Sequence, residues 1–258
     1  MNRILFEPRE LQSDGTVTLF GTRAEHIRAV LGAEPGRVLR VGLVDGLAGM
    51  GRVLACDQET ARLAVTLDEM TPAPWIDLLL AVPRPKALKR LWAQLAALGV
   101  GRIVLLGAAR VEREYFATHW LQERYYRPLL MEGLSQAGTT ALPQVTFERR
   151  FRPYVEDRLD TDFPDSARLL AHPGAVARPT GLAAGARILL AIGPEGGWTE
   201  FELRMLEARG FSRFSLGTRT LRTDTACVAL ISVLAAAFVW GDGEPLTMVA
   251  RSTAGGEA

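Results

Sequence analysis

The sequence is poor in the residues that build disulfide frameworks and metal sites. It contains two cysteines, Cys56 and Cys227, and three histidines in 258 residues. Neither cysteine lies in a metal-ligand spacing, and two thiols do not make a disulfide framework. His119 and His172 stand apart from other ligand-type residues along the chain. Because a protein metal site needs several such donors together, we expect no bound metal.

Long apolar segments are also lacking. The longest, residues 226–240, is interrupted by Ser232 and is too short to span a bilayer. The first ten residues do not contain the apolar core of a signal peptide. We therefore expect a cytoplasmic protein with no membrane partner. The hydrophobic content of 48% is ordinary for a globular chain with a sizeable core.

Lysine is nearly absent, since only Lys86 and Lys89 stand among 30 basic residues. Arginine suits bidentate contacts with phosphates and carboxylates, although a chain-wide bias also follows from genome base composition. Residues 1–72 carry 8 basic and 10 acidic side chains, a net −2, and residues 73–258 carry 22 and 19, a net +3. Composition alone therefore demands no nucleic-acid partner, but it allows a local basic groove.

The first 70 residues have the pattern of short strands and turns. Apolar or alternating segments at 17–20, 38–44, 51–55 and 62–67 predict strands, and Asp45-Gly46 is a tight-turn signal between two of them. Residues 23–31 predict a short amphipathic helix. Strands at this spacing indicate a small β-barrel. Pro72 and Pro74 then mark a linker, because proline is excluded from helix interiors and central strands.

Strands alternate with helices beyond this linker. We predict strands at 76–82, 102–106, 168–171, 187–192 and 214–216, and helices at 88–98, 120–136, 199–209 and 224–239. Gly99 is well placed to end the first of these helices. The alternation predicts an α/β fold with a largely parallel sheet covered on both faces. We expect residues 1–72 and 73–242 to form two domains, and residues 243–258, polar and rich in glycine, to form a mobile tail.

A glycine-rich loop between a strand and a helix is the strongest local signal. Residues 193–197, Gly-Pro-Glu-Gly-Gly, follow the apolar strand that ends at Ile192, and Thr199 with Glu202 has the spacing of a capping box. Ligands of open α/β sheets bind at the carboxyl ends of the strands, where this loop must lie. Pro194 removes an N–H donor, Glu195 adds a negative charge, and neither common phosphate-loop pattern is present. The loop therefore favours a cationic or neutral ligand, unless it is a plain turn with an exposed glutamate.

A second loop, residues 216–226, again joins a predicted strand to a predicted helix. Thr223 suits the N-cap of that helix, and Asp224 suits the positive end of its dipole. Arg219 and Arg222 beside a helix N-terminus can attract an anion such as an RNA phosphate. Alternatively, Arg222 forms a structural pair with an acidic neighbour such as Glu195.

The two loops together resemble those of the ribosomal RNA small subunit methyltransferase E family, uridine-N3 methyltransferases of the SPOUT class. Gly-Pro-Glu-Gly-Gly is followed about twenty residues later by Leu-Gly-x-Arg-x-Leu-Arg-Thr-Asp-Thr-Ala. Shorter similarities extend the resemblance over nearly the whole chain, at Arg3, residues 26–31, Gly36, Asp45-Gly46, Leu98-Gly99-Val100, Gln136 with Pro143, and His172-Pro173.

This resemblance implies a PUA-like RNA-binding β-barrel followed by an α/β domain with a deep trefoil knot. It implies S-adenosylmethionine as cofactor, 16S ribosomal RNA of the small subunit as substrate, and a homodimer with the active site at its interface. Arg222 is the expected catalytic cation, Glu195 would orient it or the substrate, and Arg3 and Arg219 would bind RNA. The cofactor-binding positions that match the family are Ile192, Gly193, Gly197, Leu216, Gly217, Leu221 and Thr223.

Five positions depart from the family pattern, because they lack a charge that the family usually has: Gly32, Gln94, Ala97, Ser135 and Thr139. Joint replacement of an internal salt-bridge set would explain the last four. The alternative is an RNA-binding ribosome-assembly protein of the same fold, with an altered substrate or without catalysis. A Rossmann dehydrogenase or class I methyltransferase is excluded, since no glycine fingerprint follows the first strand of either segment.

Overall fold

Two β-sheets organise the part of the chain that the computed structural model describes, residues 2–173, 186–217 and 219–240. Strands β1 to β5 form a mixed sheet in the first 69 residues, and strands β6 to β11 form a parallel sheet from residue 76 onward. The predicted linker, which contains Pro72 and Pro74, therefore falls between the two sheets. The tail predicted at 243–258 lies outside the described residues.

The N-terminal sheet has the order β1-β3-β4-β5-β2, in which β1 and β3 are parallel and the other neighbours are antiparallel. A helix over residues 23–31 is confirmed, as a short α-helix, α1 (Thr22–Glu25), that continues into a π-helical turn over residues 26–30. One apolar cluster, which includes Phe6, Leu19 and Ile27, fills the sheet's inner face. The strands are β1 (Ile4–Phe6), β2 (Thr16–Phe20), β3 (Val38–Leu43), β4 (Ala48–Cys56) and β5 (Thr60–Glu69).

The second sheet has the order β11-β9-β10-β6-β7-β8, and every pair in it is parallel, as the alternation predicted. Its strands are β6 (Ile76–Ala81), β7 (Val100–Leu106), β8 (Gln144–Glu148), β9 (Ala167–Ala171), β10 (Ile188–Ile192) and β11 (Ser212–Phe214). After β6 the chain continues to β7 and then to β8 at one edge of the sheet. After β10 it continues to β11 at the opposite edge. The neighbours β6 and β10 therefore flank a topological switch point, the usual ligand crevice of such sheets.

Helices cover both faces of the parallel sheet. Leu78 and Leu80 of β6 join the apolar core on one face, while Leu79 and Ala81 join the core on the other, as expected for a central strand. The first core also holds residues of α2 (Pro85–Ala97), α3 (Glu123–Ala137) and α7 (Thr223–Trp240). The second holds residues of α4 (Phe151–Asp157), α5 (Leu159–Asp162) and α6 (Glu200–Ala208).

Several element boundaries differ from the sequence predictions. The predicted helix at 120–136 begins at Glu123, because residues 119–121 form a separate 3-10 turn capped by the Thr118 hydroxyl. The strand predicted at 214–216 is Ser212–Phe214, so Leu216 lies in the following loop. Strand β8 was not predicted, because it is a sheet edge whose side chains are only partly buried and lack an apolar run. Gly99, with φ of +80°, ends α2 as predicted.

No helix in the described ranges has both the length and the apolar character needed to cross a membrane.

Candidate cofactor and RNA site

A cavity of about 370 Å³ opens at the carboxyl ends of β9, β10 and β11. Its volume lies within the range of small-molecule sites. The loops after these strands, the first half of α7 and the loop after β7 surround it. The lining includes residues 171–173, 192–198, 214–217, 219–221, Thr223, Ala226, Leu230 and Arg110.

The cavity brings together the cofactor-binding positions that were expected from the sequence. All seven line it: Ile192, Gly193, Gly197, Leu216, Gly217, Leu221 and Thr223. Glu195 and Arg219 line it as well, whereas Arg222 and Arg3 are not among the lining residues. Two loops separated by about twenty residues of sequence therefore form one wall of one pocket.

Packing within the glycine-rich loop, residues 193–197, leaves no room for a side chain at position 193. A Cβ atom at this position would lie 3.0 to 3.2 Å from three indole atoms of Trp198, a side chain that is 5% exposed. Gly197 serves backbone conformation instead, because its φ of +71° is strained for residues with a side chain. Both reasons for glycine are therefore internal to the loop.

Glu195 ties the glycine-rich loop to the neighbouring strand's loop. Its Oε1 accepts a hydrogen bond from the backbone N–H of Arg84, 3.1 Å away, at the start of α2. The sequence offered Arg222 as an alternative partner for Glu195, but the ion pair that Arg222 makes in the structure is with Asp224. The carboxylate therefore links the loop after β10 to the loop after β6, on the two sides of the switch point.

Arg110 is a residue of the cavity that sequence reasoning missed. Its Nη1 donates to the carbonyl of Gly196 at 2.5 Å, so the loop after β7 also reaches the glycine-rich loop. The available signal was its position four residues beyond a parallel strand, at the edge of the sheet where loops converge. Nothing in the local sequence around Arg110 indicates which loop it contacts.

A buried carboxylate, Glu202, makes a further link between these loops. The predicted capping box is confirmed, since Glu202 Oε2 accepts from the Thr199 backbone N–H and hydroxyl, both at 2.8 Å. Its Oε1 accepts from the backbone N–H of Ala109 at 2.7 Å. One side chain thus starts α6 and anchors the loop that presents Arg110.

Replacing Glu202 with glutamine is expected to lower the free energy of unfolding by about 1–3 kcal/mol. The amide NH₂ would face at least one N–H donor that now points at a carboxylate oxygen. Urea denaturation measures the loss, with Glu200→Gln as the matched control because Glu200 is an exposed carboxylate in the same helical turn. Equal stability of the two variants would contradict a structural role for Glu202.

Arg222 lies at the edge of the cavity, where its cation is exposed and anchored. Its side chain is 73% exposed, and its Nε lies 3.7 Å from Oδ1 of Asp224. Arg90 of α2 forms a second ion pair with Asp224. The hydrogen bond from Arg90 lowers the pKa of the Asp224 carboxyl group most, and the Thr225 backbone N–H and the charges of Arg90 and Arg222 lower it further. Asp224 therefore stays ionised and forms a weak, solvent-exposed ion pair with Arg222, the residue before the cavity-lining Thr223.

Arg3 has a structural environment that the sequence did not predict. Its side chain is 5% exposed, and Nη2 lies 3.0 and 3.1 Å from the two carboxylate oxygens of Glu69. Nη1 donates to the carbonyl of Val41 at 3.0 Å. The expected contact of Arg3 with RNA therefore needs correction, because this guanidinium is enclosed by the first sheet. Ser135 on α3 donates to the Arg3 carbonyl at 2.6 Å, which joins the two sheets' domains.

The departures from the family pattern do not form one internal salt-bridge site. Gln94 and Ala97 are exposed on α2, and Ser135 contacts Arg3 through its hydroxyl. Gly32 has φ of +55°, a conformation that is strained for arginine. Of the four positions assigned to an internal charge set, Gln94 and Ala97 are therefore exposed, whereas Ser135 and Thr139 are partly buried.

Across the described residues, no group of three or more His, Cys, Asp or Glu side chains is arranged to hold a metal ion.

The fold and the cavity define an RNA methyltransferase. The model of the family described as "RNA methyltransferase domain" matches residues 70–235, the segment that builds the parallel sheet and the cavity. Over the whole chain, the ribosomal RNA small subunit methyltransferase E of Treponema pallidum is 33% identical across 248 residues, which cover 93% of each protein. The chain belongs to the ribosomal RNA small subunit methyltransferase E family.

Two further relatives are consistent with this membership. The protein of the same name from Synechocystis is 29% identical over 242 residues, which cover 90% of this chain and 76% of that protein. The crystal structure of a ribosomal RNA small subunit methyltransferase E from Neisseria gonorrhoeae bound to S-adenosyl methionine superposes with a TM-score of 0.72. It is 23% identical and covers 92% of this chain and 97% of that chain, so its similarity concerns the fold.

Proposed function

We propose that this protein transfers a methyl group from S-adenosylmethionine to N3 of a uridine in 16S ribosomal RNA. The observation that carries the proposal is the single cavity in which all seven family-matched positions meet. Family membership supplies the reaction class, and the cavity supplies a place for the cofactor at the carboxyl ends of β9, β10 and β11.

The residues of the cavity fit S-adenosylmethionine. Its walls combine apolar side chains such as Ile192, Leu216 and Leu221 with loop backbone, which suits the neutral adenosine part. Pro194 lacks an N–H, and Glu195 adds a carboxylate to the lining, so a phosphate group is disfavoured. When bound, the cofactor supplies an electrophilic methyl group.

The protein's contribution to the reaction is positioning and charge. Methyl transfer to uracil N3 would break the S–CH3 bond of the sulfonium and leave S-adenosylhomocysteine, and the weakly acidic N3 proton would pass to solvent water. Negative charge therefore develops on the base as the proton leaves. We assign the stabilisation of that charge to the guanidinium of Arg222, which pairs with Asp224 between two cavity-lining residues, Leu221 and Thr223. Glu195 acts through the loops, because its bond to the Arg84 N–H fixes the cavity wall against which the base is oriented.

The RNA must present the uridine unstacked, since the Watson–Crick edge is the reacting edge. Arg219 is exposed and lines the cavity, and we assign it to a phosphate beside the target. With Arg3 enclosed by the first sheet, the basic residues around the cavity replace it as the RNA contacts of this proposal.

We further propose a PUA-like barrel for residues 1–72, a trefoil-knotted methyltransferase domain for residues 73–242, and a cytoplasmic homodimer with the active site at its interface. Support comes from the mixed five-stranded sheet, the parallel sheet whose last loops converge on the cavity, and membership of the family. Residues 174–185, which connect β9 to β10, lie outside the described residues.

The reaction is tested on small ribosomal subunits from a strain that lacks the gene. The purified protein and methyl-labelled S-adenosylmethionine are added, and 16S ribosomal RNA is digested and analysed by mass spectrometry. We expect one uridine to gain a methyl group at N3, with subunits from the parent strain as the already methylated control. Absence of any new methyluridine would show that the proposed substrate is wrong.

A ribosome-assembly protein that binds RNA without catalysis is the second candidate, and the uncharged Gln94 and Ala97 on α2 favour it. Calorimetric titration with S-adenosylmethionine separates the candidates. Saturable binding supports the enzyme, and no binding at millimolar cofactor supports the assembly protein.

A further inference from the structure

Three aromatic rings and two cations form an exposed cluster between α2 and α3. We name it the aromatic platform; its members are Lys89, His119, Trp120, Arg124 and Tyr125. The ring centroid of His119 lies 4.3 Å from that of Trp120 and 4.9 Å from that of Tyr125. The Lys89 ammonium lies 4.7 Å from the Trp120 ring centroid, and the Arg124 guanidinium lies 4.9 Å from that of Tyr125.

The platform faces solvent, although its position is fixed by the core. Tyr125 is 38% exposed, and His119, Lys89 and Arg124 are all exposed. Trp120 is half-buried, and its carbonyl accepts a hydrogen bond from Nε1 of the buried Trp92 at 3.1 Å. Trp120 also packs against the apolar core, so the exposed part of the platform is His119 and Tyr125. Single exposed apolar residues need no explanation, whereas a contiguous exposed patch points to a binding site.

The charged side chains that α2 contributes near the platform are all positive. This helix contains no acidic residue, and its solvent face presents the chain's two lysines, Lys86 and Lys89, followed by Arg90. Glu123, the acid beside Arg124 in sequence, is engaged by Arg127 at 3.6 Å. The platform therefore offers ring faces and cations together, which suits a ligand with both bases and phosphates.

The platform also lies near the proposed reaction site. Lys89 directly precedes Arg90, and Arg90 pairs with Asp224, the residue that anchors Arg222. Thr223, between Arg222 and Asp224, lines the cavity. A polynucleotide strand that places one base at the cavity can therefore continue along the N-terminal half of α2 toward His119 and Tyr125.

We propose that the aromatic platform binds the single-stranded RNA that flanks the methylated uridine. Bases stack on Tyr125, His119 and Trp120, and Lys89 and Arg124 contact the phosphates. This inference rests on the proposed function for the identity of the RNA, but the binding surface itself does not depend on methyl transfer. The pairing of stacking faces with cations favours RNA over a protein partner.

The first measurement is fluorescence anisotropy of a labelled single-stranded oligouridylate with the full-length protein. Tyr125→Ala and His119→Ala are each expected to weaken binding roughly 5- to 150-fold, the range for loss of one stacked base, and the double variant more than either. Phe147→Ala is the matched control, because Phe147 is 37% exposed on β8 outside the platform. Tyr125→Phe keeps the ring face and is expected to keep the affinity.

A second measurement examines the cations. Lys89→Ala is expected to reduce the salt dependence of oligonucleotide binding by about one counterion. The Lys89→Ala measurement also remains informative if the variant with both Tyr125→Ala and His119→Ala does not fold. Unchanged affinity in both Tyr125→Ala and His119→Ala, with unchanged salt dependence in Lys89→Ala, overturns the proposal.

Methylation assays separate this inference from the proposed function. In the platform variants, KM for the small subunit is expected to rise while kcat and S-adenosylmethionine affinity stay as in the parent protein. If the parent protein methylates no uridine but the variants still lose oligonucleotide binding, the platform stands and the proposed reaction falls. If kcat falls with KM unchanged, the platform is not an RNA-binding surface.

Discussion

Replacement of Arg222 by alanine is expected to lower the turnover of methyl transfer about 100- to 1,000-fold, the usual loss when one preorganised donor to a developing anion is removed. Affinity for S-adenosylmethionine should stay close to that of the parent, because Arg222 is not among the residues that line the cavity. The guanidinium instead lies at its edge, 73% exposed and held 3.7 Å from Asp224.

Single-turnover kinetics with saturating small subunits measures the chemical step, and calorimetry measures cofactor affinity. Asp224→Asn is the informative companion, since it keeps Arg222 but weakens the anchor that Asp224 provides with Arg90. We expect an intermediate loss of turnover in that variant. Parent-like turnover in Arg222→Ala would remove Arg222 from the chemistry.

Replacement of Gly193 by valine is expected to damage both stability and cofactor binding. Even a Cβ atom there would lie 3.0 Å from Nε1 of Trp198, whose indole packs in the core near Phe151 and cannot leave. Overpacking of this kind costs about 1–3 kcal/mol of unfolding free energy. Because the indole is buried, we expect the loop to shift, and affinity for S-adenosylmethionine should fall roughly 10- to 100-fold, a loss of similar free energy.

Denaturation and calorimetry measure the two effects on the same protein. Gly196→Ala is the matched control within the loop, because its Cβ would meet only the flexible side chain of Arg110, at 3.2 Å. Trp198→Phe in the Gly193→Val background should recover part of both losses by making room. If Gly193→Val binds the cofactor like the parent, the loop does not form the cofactor wall.

The fold class was predictable because it depends on local periodicity. Apolar runs such as residues 76–82 and 187–192 predicted buried parallel strands, and the structure has them as β6 and β10. Strand β8 escaped prediction because an exposed sheet edge needs no apolar run. The three-residue β1 is too short to have a period, and it forms only because β3 provides a parallel partner.

The candidate site was predictable only as two separate pieces. The residue types in the first loop indicated a ligand without phosphate. Those in the second indicated a helix over 224–239 with Thr223 as its N-cap, and α7 begins one residue earlier, at Thr223 itself. The meeting of the two loops in one cavity depends on the strand order, which places β10 and β11 on either side of β9. Arg110 enters the same cavity from a loop about 80 residues earlier in the chain.

The sequence by itself determined the α/β class, the two loops that carry the family's residues, and a family membership that the comparisons confirm. Only the tertiary structure determined which groups the three carboxylates contact. Glu195 accepts a hydrogen bond from the Arg84 N–H, Glu202 accepts one from the Ala109 N–H, and Asp224 forms an ion pair with Arg90. The tertiary structure also enclosed Arg3 in the first sheet. The physical reason is range, because helix caps and strand periods act over a few residues, whereas these contacts join residues separated by more than sixty positions.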